Sequence, residues 1–60
     1  MNLTPIRKKA DITQEQLAKK LKIDRSTVAK WETGESMPRA DNLPRLAKIL
    51  GCTVDELLKQ

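Results

Sequence analysis

Apolar residues recur along this chain at helical spacing, and nowhere do they alternate with polar residues as they would in a β-strand. One run follows the i, i+3, i+4, i+7 template of an amphipathic helix without a miss: Leu43, Leu46, Ala47 and Leu50. Pro44 must then lie in the first turn of this helix, which places the N-cap near Asp41 or Asn42. Gly51 follows the last apolar position and is expected to end the helix.

Two short helices, separated by only a few residues, are predicted within residues 13–33. Thr13 opens the first of them with a T-x-x-Q capping box. Asp24 is a good N-cap for the second, and Gly34 stands where a left-handed residue would end it. We expect Lys22, between the two helices, to adopt a left-handed conformation at a small strain cost. Two short helices joined this tightly predict a helix-turn-helix motif.

The first and last helices are also predicted to begin at threonines. Thr4 is the expected N-cap of the first helix, with Pro5 at its first helical position, and Thr53 opens the last with a T-x-x-E capping box. Asp11 is placed where a left-handed residue is needed after the first helix. The predicted architecture is all-α, with five helices in one domain spanning residues 1–60. The expected core comprises Ile6, Leu17, Leu21, Ile23, Val28, Met37, Leu43, Leu46, Leu50, Val54 and Leu57.

The third helix, residues 24–33, is predicted to present a polar and cationic stripe to solvent. If the apolar Val28 and Trp31 point inward, the outward positions are Ser26, Lys30 and Thr33. Arg25 lies in the first turn, and its side chain is long enough to reach the same side. Such side chains donate or accept the hydrogen bonds that base edges require in the major groove of DNA. Any surface helix has a polar face, so the stripe alone leaves DNA contact and plain solvation equally open.

Composition narrows the possible functions. The net charge of +4 and pI near 9.6 suit a polyanionic partner. The chain has one cysteine and no histidine, so we expect no disulfide, zinc site, cofactor or enzyme activity. One tryptophan, without tyrosine or phenylalanine, argues against modules that stack single-stranded bases. No signal peptide or membrane span is apparent, and we expect a cytoplasmic protein.

A family resemblance covers nearly the whole chain, from about Leu3 to Leu58. It is carried by TQEQLAKKLKIDRSTVAKWETG, then MP, then LPRLAKILGCTVDELL. This pattern is similar to the phage-repressor and Cro-like helix-turn-helix family, also called the Xre family. The resemblance implies a compact λ-repressor-like fold. It also implies a sequence-specific, double-stranded-DNA-binding transcriptional regulator, repressor-like, that acts as a homodimer on a pseudo-palindromic operator.

The resemblance further implies roles for individual residues, with the third helix lying in the major groove. The positions that read base edges correspond here to Arg25, Ser26, Lys30 and Thr27. The positions that contact the DNA backbone correspond to Thr13, Gln14, Met37 (through its amide) and Arg39. A structural ion pair corresponds to Arg7 and Glu32. Dimer contacts fall at the ends of the fourth and fifth helices, with Leu58 a candidate.

Two acidic residues depart from the family pattern and put the strength of backbone anchoring in question. Asp24 replaces a more usual Ser or Thr, and Glu35 occupies a loop position that is often basic in relatives. A second function also stays open, because domains of this kind also occur in roles where the main partner is a protein. It is a helical protein-interaction module of antitoxin or anti-repressor type, whose main partner is another protein.

Overall fold

The computed structural model describes residues 1–59, and within them it contains five α-helices and no strand. The helices are α1 (Leu3–Lys9), α2 (Gln14–Leu21), α3 (Arg25–Thr33), α4 (Asn42–Leu50) and α5 (Val54–Leu58). They pack into a body of 24 × 23 × 20 Å. The all-α, five-helix prediction is confirmed.

The predicted helix ends are confirmed for α2, α3, α4 and α5. Thr13 Oγ1 accepts from the Gln16 amide at 3.0 Å while the Gln16 side chain accepts from the Thr13 amide, a complete capping box. Thr53 and Glu56 form a second box in the same way. Asp24 caps α3 through the Ser26 amide. The helices α3 and α4 end at glycines with φ of +83° and +70°, respectively: Gly34 and Gly51.

The start of α1 differs from the prediction. The helix begins at Leu3 with Asn2 as its N-cap, so Thr4 is not the cap and Pro5 is the third helical residue rather than the first. The Asn2 amide donates to the Leu57 carbonyl at 2.7 Å, and Leu3 is fully buried. Contact with α5 therefore sets where α1 begins. Pro5 is tolerated because amides in the first turn have no acceptor within the helix.

The core differs from the prediction in membership. Its buried apolar residues are Leu3, Leu17, Ala18, Leu21, Val28, Trp31, Leu46, Ala47, Leu50 and Leu57. The prediction was wrong for Met37, which is 61% exposed, since Pro38 is the residue buried under the loop after α3. Four other predicted members are only half-buried: Ile6, Ile23, Leu43 and Val54.

The connections between α1, α2 and α3 are short and tightly turned. Asp11 and Lys22 adopt the predicted left-handed conformation, with φ of +60° and +58°. The Ile23 amide then donates back to the Ala18 carbonyl at 3.0 Å, which closes the end of α2. As a result only three residues separate the end of α2 from the start of α3, and the two helices pack extensively against each other.

Candidate nucleic-acid interface

The orientation of α3 follows from its two buried residues. Val28 is fully buried and Trp31 is 4% exposed, so the opposite side of the helix faces outward. Ser26 and Lys30 are exposed, as predicted from the helical spacing, and Arg25 in the first turn is exposed as well. Thr27 is half-buried beside them. This arrangement presents two cations and one hydroxyl on a single outward face.

A shallow groove of about 320 Å³ runs along that face. It is lined by Arg25, Ser26, Ala29, Lys30, Thr33 and Glu35. Lys30 Nζ lies 4.0 Å from a Glu35 carboxylate oxygen, and both side chains are more than half exposed. An ion pair this exposed contributes little to stability, so the ammonium stays available to an external anion. Arg25 forms no ion pair with any residue in the described part of the chain.

The carboxylate of Asp24 organises the first turn of α3. Its Oδ2 accepts from the Ser26 amide at 3.2 Å and also from the Ser26 hydroxyl. These two hydrogen bonds, made by the side chain and the backbone of Ser26, lower the pKa of Asp24, with help from the nearby charges of Arg25 and Lys30. The Ser26 hydroxyl is therefore paired within the protein while remaining exposed.

The N-terminus of α2 lies beside the first turn of α3. A recess of about 420 Å³ is lined by Arg7, Thr13, Gln14, Glu15 and Arg25. The capping box occupies the Gln16 amide, whereas the amides of Gln14 and Glu15 have no acceptor among residues 1–59. Two unpaired amides at the positive end of a helix are a favourable setting for an anion. The predicted backbone-contact and base-contact residues thus meet around one recess.

The loop after α3 carries the two remaining predicted contact residues. Met37 and Arg39 are both exposed, on either side of the buried Pro38. The buried proline fixes the loop against the body of the protein, and its two neighbours are left facing outward. This leaves both residues accessible from outside, although the expected role of Met37 as an interior anchor was wrong.

Arg7 and Glu32 lie behind this surface and are bonded to each other. Arg7 Nε donates to Glu32 Oε2 at 2.6 Å, and the two side chains are only 12% and 8% exposed. The guanidinium also donates to the Ile12 carbonyl at 2.7 Å. Gln14 Nε2 donates to Glu32 Oε1 at 2.9 Å, so Gln14 is partly committed to the interior. Arg7 therefore forms an ion pair with Glu32 and also lines the recess at the start of α2.

The pKa of Glu32 reflects these contacts. Burial on its own would raise this pKa, but hydrogen bonds from Arg7, Gln14 and Thr4, together with the charge of Arg7, outweigh burial and lower it. The carboxylate is therefore ionised at neutral pH and joins α1, α2 and α3. Sequence reasoning missed the Gln14 and Thr4 contacts, because their spacing from Glu32 along the chain carries no local signal.

Other chemistry is not apparent in the described residues. No group of three or more Asp, Glu, Cys or His side chains is placed to hold a metal ion within residues 1–59. Cys52 is a half-buried thiol packed against the core, and burial, followed by the charge of Glu56, raises its pKa. No helix in the same part of the chain is both long and apolar enough to span a membrane.

Comparison with known proteins finds similarity over most of the chain. Residues 6–57 match the model of the helix-turn-helix family HTH_3. The transcriptional activator BcrR of Enterococcus faecalis is 39% identical over 56 residues, which is 93% of this chain and 28% of BcrR. The transcriptional regulator DicA of Escherichia coli K12 is 47% identical over 47 residues, 78% of this chain and 35% of DicA.

Phage proteins are also among the similar sequences. Repressor protein C2 of Salmonella phage P22 is 40% identical over 53 residues, covering 88% of this chain and 24% of C2. The chain therefore spans about a third or less of the length of these three relatives. No solved structure matches it significantly.

Proposed function

This chain belongs to the helix-turn-helix family HTH_3, with a λ-repressor-like fold, and from that premise we propose that it binds double-stranded DNA sequence-specifically and regulates transcription. The observation that carries the proposal is the outward face of α3, where Arg25, Ser26 and Lys30 are exposed together. In the major groove, Arg25 reaches guanine O6 and N7, and Lys30 directs a charge at similar acceptors. Thr27, half-buried beside them, supplies an additional contact.

Phosphate contacts position α3 in this proposal. The unpaired amides at the start of α2, next to Thr13 and Gln14, receive one phosphate. Arg39 and the backbone amide of Met37 receive another on the far side of α3. Phosphate contacts fix the position of a protein on DNA without reading sequence, so these residues supply affinity and the α3 face supplies selectivity.

The proposed assembly is a homodimer on a pseudo-palindromic operator, working in the cytoplasm as a repressor. One helix-turn-helix domain contacts few base pairs, so two copies on one DNA site supply the specificity that a single copy lacks. Relatives with phage-repressor names favour repression, and BcrR, named an activator, makes activation the other outcome of a reporter assay.

Salt dependence tests the proposed DNA contact. Because binding releases counterions from neutralised phosphates, the logarithm of the association constant should fall linearly with the logarithm of salt concentration. With about four phosphates neutralised, affinity should drop on the order of 100-fold between about 50 and 200 mM salt. The measurement is fluorescence anisotropy on a labelled duplex obtained by selection from a random pool. A flat response to salt would contradict the proposal.

Two variants distinguish base recognition from contact with the DNA phosphates. Arg25→Ala should relax base preference at one position, whereas Arg39→Ala should weaken binding to all sequences alike and reduce the salt slope by about 1. Lys9→Ala is the matched control, because Lys9 lines a separate cleft between α1 and α5. Equal losses on every sequence for Arg25→Ala and Arg39→Ala would refute this assignment of roles.

A further inference from the structure

The Ser26 hydroxyl has a fixed direction of hydrogen bonding. A serine hydroxyl carries one proton and two lone pairs, and in solution it can donate or accept toward a ligand. Here it is bonded to Asp24 Oδ2. An ionised carboxylate can only accept, so the proton between the two oxygens belongs to Ser26. The hydroxyl therefore has only its lone pairs left for anything outside the protein.

The same carboxylate oxygen also caps α3, which makes this arrangement persistent. Asp24 Oδ2 accepts from the Ser26 amide at 3.2 Å in addition to the hydroxyl. Rotating the carboxylate away would give up the helix cap as well as the hydroxyl bond. The hydrogen bonds from the Ser26 hydroxyl and amide, followed by the charges of Arg25 and Lys30, lower the pKa of Asp24 and keep it in its charged form. Ser26 is exposed and lines the groove on the outer face of α3.

We propose that Asp24 restricts the Ser26 hydroxyl to accepting hydrogen bonds from DNA. Ser26 then selects a base that carries an exocyclic amino group in the major groove, which is adenine or cytosine. Adenine N6 and cytosine N4 are the donors displayed there, whereas guanine O6 and N7 and thymine O4 are acceptors that would face a lone pair. The negative charge of Asp24 next to the hydroxyl adds repulsion against the same acceptors. This inference rests on the proposed function and names what one position of the bound site must contain.

Four variants test the inference. Ser26→Ala removes the lone pairs, and Asp24→Gly removes the acceptor while leaving a residue tolerated as an N-cap. Asp24→Asn removes the charge but keeps a capping oxygen that still accepts the Ser26 proton. Ser36→Ala, an exposed serine in the loop after α3, is the matched control. Circular dichroism should show the same helix content for all four proteins.

The measurement is selection from a random duplex pool, followed by competition binding with single-base-pair variants of the selected site. Wild type, Asp24→Asn and Ser36→Ala should prefer adenine or cytosine at one position by roughly 2- to 10-fold, the value of one hydrogen bond. Ser26→Ala and Asp24→Gly should lose that preference at the same position and keep the others.

The possible failures can be told apart. If wild-type protein selects no sequence, the proposed function fails, and the inference fails with it. If wild type selects a sequence but Ser26→Ala relaxes no position, or relaxes one that holds guanine or thymine, only the inference is overturned. Loss of the preference in Asp24→Asn with retention in Ser26→Ala would show that Asp24 itself reads the base, which also overturns it.

Discussion

At the scale of single residues, Glu32 connects three helices through its side-chain hydrogen bonds. It accepts hydrogen bonds from Arg7 on α1 and Gln14 on α2 while it belongs to α3. Removing one partner of such a partly buried pair leaves the other charge with less compensation, which typically costs more than the pair contributed. The Glu32 carboxylate thus holds the α2–α3 unit against α1, directly behind the outward face of α3.

Glu32 should make the stability of the protein depend on pH in the acid range. Its pKa in the folded state lies below the ordinary value of 4.5, so the unfolded chain binds more protons at intermediate pH. Its contribution to the free energy of unfolding is therefore fully present above the ordinary pKa and is lost as the pH falls through the folded pKa. Glu32→Gln should destabilise the protein at pH 7 by about 1.5–3 kcal/mol, the range for hydrogen bonds to a charged group.

Urea denaturation from pH 7 to pH 2 measures this effect. The difference in unfolding free energy between wild type and Glu32→Gln should shrink as the pH falls and the wild-type carboxylate becomes protonated. Glu15→Gln, an exposed acid in the first turn of α2, serves as the control and should change stability by no more than several tenths of a kcal/mol. A constant difference for Glu32→Gln across the whole pH range would contradict the assigned role.

At the scale of elements, the connection between α2 and α3 determines how α3 is presented. Lys22 ends α2 with φ of +58°, a conformation that is unfavourable for any residue with a Cβ atom and natural for glycine. Its side chain is exposed, so no packing compensates for this strain. The turn is maintained by neighbouring bonds, such as that from the Ile23 amide to the Ala18 carbonyl.

Lys22→Gly should stabilise the protein by about 0.5–1 kcal/mol, because glycine adopts the left-handed conformation without strain. Lys20→Gly, two residues earlier and inside α2, should have the opposite sign and destabilise by about 1 kcal/mol. Both substitutions remove one exposed lysine charge, so the pair isolates the effect of backbone conformation. Thermal unfolding of the two variants gives the comparison, and a lower melting temperature for Lys22→Gly than for wild type would disprove the strain argument.

Local signals were enough to predict most elements of the fold. Caps such as Thr13 and Asp24, and the left-handed Lys22, depend on residues within a few positions of each other, so the sequence displays them directly. The start of α1 and the burial of Pro38 in place of Met37 depend on contacts between distant parts of the chain. A pattern of apolar residues shows that the loop after α3 must place an apolar side chain on the core. It does not show whether Met37 or Pro38 is that residue.

The same distinction applies to the candidate site. The exposure of Ser26 and Lys30 followed from helical spacing relative to Val28 and Trp31. The bond from Gln14 to Glu32 spans 18 residues and was not visible in the sequence. The bond between Ser26 and Asp24 spans only two residues, and the D-x-S spacing at a helix start is a signal from which it could have been predicted.

At the scale of the whole molecule, its size limits how much DNA one copy can contact. The body is at most 24 Å across, whereas successive major grooves on one face of DNA are about 34 Å apart. In the proposed function, one helix-turn-helix domain of this size would therefore reach a single half-site. High specificity in the proposed function requires a second copy on the next turn, and Leu58, 43% exposed on α5, is an apolar residue available for contact between the copies.

The spacing of half-sites tests this arrangement directly. On a duplex with two selected half-sites about one helical turn apart, the two copies lie on the same face of the DNA and should bind cooperatively. Inserting about five base pairs rotates one half-site by half a turn, which separates the copies and should abolish cooperativity while leaving the affinity for each half-site unchanged.

Leu58→Glu should have the same effect at the original spacing, since it removes an apolar contact and places like charges opposite each other across a two-fold axis. Gel-shift titrations measure both the singly and doubly bound species. Equal cooperativity at both spacings would show that the copies do not touch, and the specificity of this chain would then have to come from a single α3 on a single half-site.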